Sequence, residues 1–245
     1  MTALVSVLVA AASWWAPAPN ATLQIQFSGL PVDQAVPANV YDIDAFDTAA
    51  STVASLHAKG RRVVCYVDAG TWENGRPDAA RYPAAVKGKS NGWPGEKWLD
   101  IRRLGVLGPI LRARMDTCAA KGFDGVELDN VDGYANTTGF KLKASDQLTF
   151  NRWLAAEAHE RGLGVGLKND LDQIPQLVSS FDFAIDEECF DYKECDLLAP
   201  FVRAGKPAFV VEYALSTASF CSKARALGLT AMRKHLSLDA WRQPC

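Results

Sequence analysis

Three times along the chain an amphipathic stretch runs up to a glycine and a β-rich run begins just beyond it. Residues 48–59 end at Gly60, 108–121 at Gly122 and 146–161 at Gly162. A glycine just past a helix takes the left-handed conformation that other residues resist, so each junction reads as a helix C-terminus returning into a strand. In the third stretch Leu148, Phe150, Trp153, Leu154 and Ala158 recur at helical spacing behind an acidic first turn. Strand-like runs lie at 22–27, 39–43, 62–67, 125–128, 164–167, 183–185, 208–211 and 229–232, eight candidates in all. Short apolar runs alternating with helices build a parallel sheet, and eight strands close into a (β/α)8 barrel. A doubly wound sheet would carry a Gly-rich phosphate loop after the first strand, and Ser28-Gly29-Leu30-Pro31 is not one. The 245 residues suit one such barrel, so the expected fold is α/β, a single (β/α)8 TIM barrel over 14–245.

The segment before it points to export. The apolar run 3–12 is too short to span a bilayer and is followed by small residues, as in a secretory signal peptide occupying 1–13. It lacks the usual basic flank, which implies a start further upstream. The chain has six cysteines, an even number that in an exported protein favours disulfides. Cys189 and Cys195 bracket a short acidic loop and are expected to pair; Cys221 with Cys245 and Cys65 with Cys118 would complete the set. Six cysteines allow fifteen arrangements, so connectivity stays open. None forms a CxxC pair and the three histidines lie far from them, so no structural zinc site is expected, and nothing else in the sequence implies a metal or organic cofactor. Net charge is −2 with Lys and Arg scattered, which argues against nucleic acid as a partner. A secreted monomer without membrane insertion is expected.

In a (β/α)8 barrel, chemistry sits at the C-terminal ends of the strands. Those ends are acidic here: Asp42 and Asp44, Asp68, Asp129 and Asp132, Asp170 beside Lys168 and Asn169, Asp186 to Glu188, and Glu212 with Tyr213. The helix-to-strand turns carry mainly Gly and Lys. Two carboxylates facing each other across a saccharide are what glycosidic cleavage needs. A lone Asp after a strand is more often a cap or a solvated loop residue. Asp129 departs from that pattern, because strand alternation in FDGVELDNVDGY (123–134) places Gly125, Glu127 and Asp129 together on the inward face. Inward carboxylates are costly unless paired with a cation or functional. The long polar segment 72–100 would lie over the third strand on the same rim.

FDGVELDNVDGY, LKND at 167–170 and DEECFDYKEC at 186–195 resemble glycoside hydrolase family 114. The likeness extends from Trp14-Trp15-Ala16-Pro17 and Gln24-Ile25-Gln26, through Cys65-Tyr66 and Trp72 to Asp78, to Leu238-Asp239-Ala240-Trp241. The resemblance implies a (β/α)8 endo-α-1,4-polygalactosaminidase, whose partner is a galactosamine-containing polysaccharide. It assigns the catalytic pair to an Asp after the fourth strand, here Asp129, and a Glu after the sixth, here Glu187. Asp186 stands where the family commonly has Asn, and Glu188 follows directly; Glu187 is preferred because it shares a face with Ile185. By analogy with α-galactosidase barrels, Asp129 is the expected nucleophile and Glu187 the acid/base of a retaining mechanism. Lys168 would keep Asp129 ionised. Asp44, Asp68, Asp132, Asn169 and Glu212 are candidates for binding hydroxyl or ammonium groups, and Tyr66, Trp72, Tyr134 and Tyr213 for stacking on sugars. Two other classes fit the same residues: a carbohydrate-binding barrel without activity, and a lyase or aldolase using Lys168 as a Schiff base.

Overall fold

The structure, a computed structural model, describes residues 14–245; the expected signal segment 1–13 lies outside them. Eight strands run parallel: β1 (Leu23–Gln26), β2 (Val40–Asp44), β3 (Arg62–Asp68), β6 (Gly125–Asp129), β7 (Gly164–Lys168), β8 (Phe183–Glu187), β9 (Ala208–Glu212) and β10 (Thr230–Lys234). They fall where the eight sequence runs do and pair in chain order, giving the expected barrel. A ninth strand, β11 (Arg242–Pro244), pairs antiparallel with β10. The helices α1 (Ala50–Ala58), α2 (Leu104–Lys121) and α3 (Ala144–Glu160) are the three read from the sequence. α2 begins four residues earlier than expected and takes Pro109 into its second turn. Four more helices follow: α4 (Ile174–Leu177), α5 (Cys189–Tyr192), α6 (Ala199–Arg203) and α7 (Thr217–Leu227).

The alternation of strand and helix is incomplete at both ends. No helix separates β1 from β2, where the connection carries Gly29, Pro31 and Pro37, and β10 leads into β11. No ladder joins β10 to β1 either. The C-terminal segment fills that seam: Phe27 N and Ser28 N donate to Leu238 O at 2.8 and 3.2 Å, Gln24 Nε2 to Ala240 O at 2.9 Å, and Arg242 Nη1 to Leu23 O at 2.6 Å. Buried backbone groups need partners, so a seam without a ladder recruits side chains and loop carbonyls.

Strand alternation divides the apolar residues into two cores. Ile25, Val64, Phe183, Ile185, Phe209 and Val211 belong to the barrel interior, while a larger cluster lies between sheet and helices. A strap crosses the bottom of the barrel. At Gly164 a Cβ would lie 2.0 Å from Trp15 O, so only glycine lets it pass. Trp14 stacks on His159 and donates to Asp182 at 2.9 Å. The disulfides are Cys65–Cys118, Cys189–Cys195 and Cys221–Cys245, the three pairs expected from the sequence.

Segment 72–100 is more than a loop. It folds into a hairpin, β4 (Thr71–Glu73) against β5 (Glu96–Trp98), with two 3-10 turns between. Arg114 of α2, almost fully buried, ties it down by a two-nitrogen grip on Asp78 at 2.8 Å and a bond to Asp68 O at 2.7 Å.

Candidate active site

Asp129, Lys168 and Glu187 end β6, β7 and β8, three strands adjacent in the sheet. Each is followed by a left-handed residue: Asn130 (φ 58°), Asn169 (φ 50°) and Glu188 (φ 65°). That conformation strains most side chains, though Asn less than others. It turns the chain away from the axis directly after the inward residue. Gly70 makes the first turn possible, since a Cβ there would lie 1.7 Å from Asn130 O.

Lys168 Nζ lies between the two acids, 3.0 Å from Asp129 Oδ1 and 2.9 Å from Glu187 Oε2. Each carboxylate has a tyrosine on its other oxygen: Tyr66 donates to Asp129 Oδ2 at 2.8 Å and Tyr213 to Glu187 Oε1. Asn130 N donates to Asp129 Oδ1 at 2.8 Å, and Glu187 N donates to Asn169 Oδ1 at 3.0 Å. Burial alone would push the Asp129 carboxyl up. Lys168, Tyr66 and Asn130 overcome it and hold the group below the ordinary carboxylate range. For Lys168, burial disfavours the charge, but Asp129, Glu187 and Glu127 raise it well above a free lysine. The lysine is therefore a fixed cation.

One layer down, Asp42 and Glu127 are both enclosed, at 0% and 1% exposure. Burial and Glu127 push the Asp42 carboxyl well up, and burial leaves Glu127 at about 7 despite Lys168. Two carboxyls so enclosed stay largely protonated at mildly acidic pH, which limits the negative charge beneath the lysine.

The cleft above has a volume of about 510 Å³, and of the residues picked from the sequence Asp44, Tyr66, Asp129, Asp132, Lys168, Asn169, Glu187 and Tyr213 line it, as does Glu188. Tyr134 lies in a neighbouring cavity. Three others line none of these cavities. Asp68 is buried and bonded to Thr71. Trp72 donates to Ala79 O at 3.0 Å beneath the ammonium of Lys87, a packing role. Glu212 faces the helix layer and accepts from Phe190 N at 2.8 Å. The hairpin adds wall residues that strand-end reasoning does not reach: Glu73, Arg76, Trp93, Glu96 and Trp98. Arg76 holds Asp44 at 2.6 Å and Glu73 at 2.5 Å, and Trp93 is 53% exposed. Asp68, Glu73 and Glu96 bring carboxylate oxygens within 4.8 Å of one another. Thr71, Arg76, Arg114 and Asn91 already occupy those oxygens.

Related proteins share this architecture. The crystal structure of Aspergillus fumigatus Ega3 in complex with galactosamine superposes with a TM-score of 0.90 at 37% identity, covering 95% of this chain and 98% of that one. The glycoside hydrolase domain of PelA from Pseudomonas aeruginosa superposes with a TM-score of 0.71 at 14% identity, over 90% of this chain and 97% of that one, and shares the fold. An uncharacterized Deinococcus radiodurans protein is 27% identical over 209 residues, 74% of this chain and 67% of that protein. The model of glycoside-hydrolase family GH114 matches residues 6–245. By that match and the likeness to Ega3, the chain belongs to glycoside hydrolase family GH114.

Proposed function

We propose that this hydrolase is a secreted, monomeric, endo-acting enzyme that cleaves α-1,4-linked galactosamine polymers with retention of configuration. Asp129 is the nucleophile and Glu187 the acid/base. The observation that carries this reading is the shared ammonium: both acids lie within 3.0 Å of Lys168 Nζ. Oxygens so close to one nitrogen fit the separation of about 5–5.5 Å of a retaining pair better than the ~6.5–9.5 Å of an inverting one. The Asp129 carboxylate attacks the anomeric carbon while Glu187 delivers a proton to the departing oxygen. Water then opens the glycosyl–enzyme bond as Glu187, now a base, removes one of its protons and is restored to the acid form. Ega3 was crystallised with galactosamine, which suits a cleft walled by Asp44, Glu73, Glu96 and Asp132.

Endo action is supported by the length of the groove. A second cavity, of about 480 Å³, shares Glu73, Arg76 and Glu96 with the central one, and a third, of about 370 Å³, shares Asp132, Asn169 and Glu187. The cavity that holds both carboxylates thus adjoins a further one on each side. Three disulfides favour an oxidising compartment. A Schiff-base role for Lys168 is disfavoured, because that chemistry needs a neutral amine and the surrounding acids hold this one charged.

The test uses a defined galactosamine oligomer and an activated aryl α-galactosaminide. Asp129→Asn and Glu187→Gln should each cut turnover of the oligomer by at least about 10³ without loss of fold. Glu187→Ala should keep far more of its first-step rate on the aryl substrate and respond to azide. The assignment fails if Asp129→Ala is instead the variant that tolerates good leaving groups, or if Glu188→Gln is inactive and Glu187→Gln is not.

A further inference from the structure

The third cavity is lined by Glu187 but not by Asp129, between the loops that follow β6, β7 and β8. Its walls carry Asp132, Asp170, Asp172, Asp186 and Glu194, and no lysine or arginine among the described residues. Asp186 follows Ile185 on β8, so alternation turns it outward from the barrel axis into this space. It is 2% exposed, and its Oδ1 has no hydrogen-bond partner among the described residues. A buried carboxylate without a partner is costly unless a cation meets it. Burial, and then Glu194, push the Asp186 carboxyl well above its ordinary range; Lys168 acts the other way, but its ammonium is held by Asp129 and Glu187. Asp170 is fixed in place: its Oδ2 accepts from Asn151 at 2.8 Å, and Asn151 is anchored on Val131 O. The Cys189–Cys195 disulfide closes the loop that carries Tyr192 and Glu194 to the opposite wall.

An acid/base stands at the bridging oxygen, so the space beyond it from the nucleophile receives the leaving-group sugar. We propose that this cavity is a subsite for the protonated 2-amino group of that sugar, with the carboxyls of Asp186, Asp170 and Glu194 around it, whose ionised forms the arriving ammonium favours. The inference rests on the assignment of Asp129 and Glu187 made above and adds a selectivity to it. An ammonium entering here supplies the charge that Asp186 lacks. An N-acetylated sugar brings no cation and leaves the carboxylate unpaired, which is how a polar site rejects an analogue.

The experiment compares kcat/KM on an α-1,4-galactosamine tetramer with kcat/KM on an aryl α-galactosaminide, whose leaving group has no ammonium. Asp186→Asn should lower the ratio of tetramer to aryl substrate at least tenfold, and the more exposed Glu194→Gln severalfold. The wild type acting on a tetramer acetylated at the leaving-group sugar should show the same lowered ratio. A ratio unchanged in both variants overturns the proposal, whether the two activities fall in step or not at all, since a packing role would affect both substrates alike. Should Asp186→Asn fail to fold, Glu194→Gln decides. A wild type that cleaves neither substrate would bring down the galactosaminidase reading itself, an outcome distinct from loss of the subsite alone.

Discussion

Replacing Lys168 with methionine keeps most of the side chain's volume and removes the one ammonium shared by the two acids. Asp129 and Glu187 are 16% and 26% exposed in their side chains, so the pair sits at the mouth of a cleft, neither dry nor fully solvated. A unit charge about 4 Å away is worth about 4 kcal/mol at an effective dielectric constant near 20. Water at the mouth reduces that to about 2 kcal/mol, equivalent to a factor of about 30 in an ionisation constant. The sign follows from the present balance. Burial raises the Asp129 carboxyl and Lys168 is the largest influence lowering it, so its removal must move the group up. The acid limb of the kcat/KM profile reports the essential base of the free enzyme, here the nucleophile. That limb should rise by one to two pH units in Lys168→Met, so the variant loses tenfold to a hundredfold at acidic pH and recovers part of it as pH increases. The measurement is a pH profile on the galactosamine tetramer from about pH 3.5 to 8. An acid limb that stays in place, or moves down, refutes the electrostatic role.

Stability should depend on pH in a direction set by the enclosed acids. Burial first of all raises Glu127 and Glu212 to about 7 and Asp170 to about 8. Carboxyls raised on folding contribute stability that is complete below the unfolded value near 4 and is lost as pH climbs through the folded one. Asp129 and Asp182 are lowered and contribute the opposite way below that value. The Tm measured by calorimetry should therefore fall between about pH 5 and 8; a Tm that rises across this window contradicts the assignment. Among the disulfides, loop entropy favours the longest span. Cys65–Cys118 closes 53 residues and Cys189–Cys195 only 6. Replacing both cysteines by serine should cost about 4 kcal/mol for the first and about 2 kcal/mol for the second, read from denaturant unfolding; a reversed order would refute the entropic account.

The barrel was legible because its strands are short, apolar and closed off by capping glycines, signals that act locally. The central acids were legible for a related reason. Once Glu127 is assigned to the inner face of β6, Asp129 must follow it, and Ile185 fixes Glu187 in the same way. That parity also explains a residue wrongly grouped with the rim: Phe209 and Val211 face the interior, so Glu212 faces away. Asp68 obeys parity but is withdrawn by its bonds to Thr71. The hairpin β4–β5 was hidden because strands of three residues are defined by their pairing across the 22 positions between Glu73 and Glu96, which no local pattern announces. With it went Arg76, Trp93 and Glu96, whose place in the cleft depends on Arg114 reaching Asp78 from another helix.

The seam between β1 and β10 has a consequence for motion. Each interior strand of the ladder is held along both edges, and β6, β7 and β8 are among them. At the seam the holding is done by Gln24, Arg242 and two amides on Leu238, a few bonds in place of a continuous row. Opening fluctuations start where the fewest bonds must break together, so hydrogen exchange should be fastest along β1 and β11 and slowest at β7. Two strands on either side separate this line from the strands that carry the working acids, but Phe27 and Leu238 of the seam also line the cleft, and Phe27 packs on Tyr66, so its opening is felt at the wall beside Asp129.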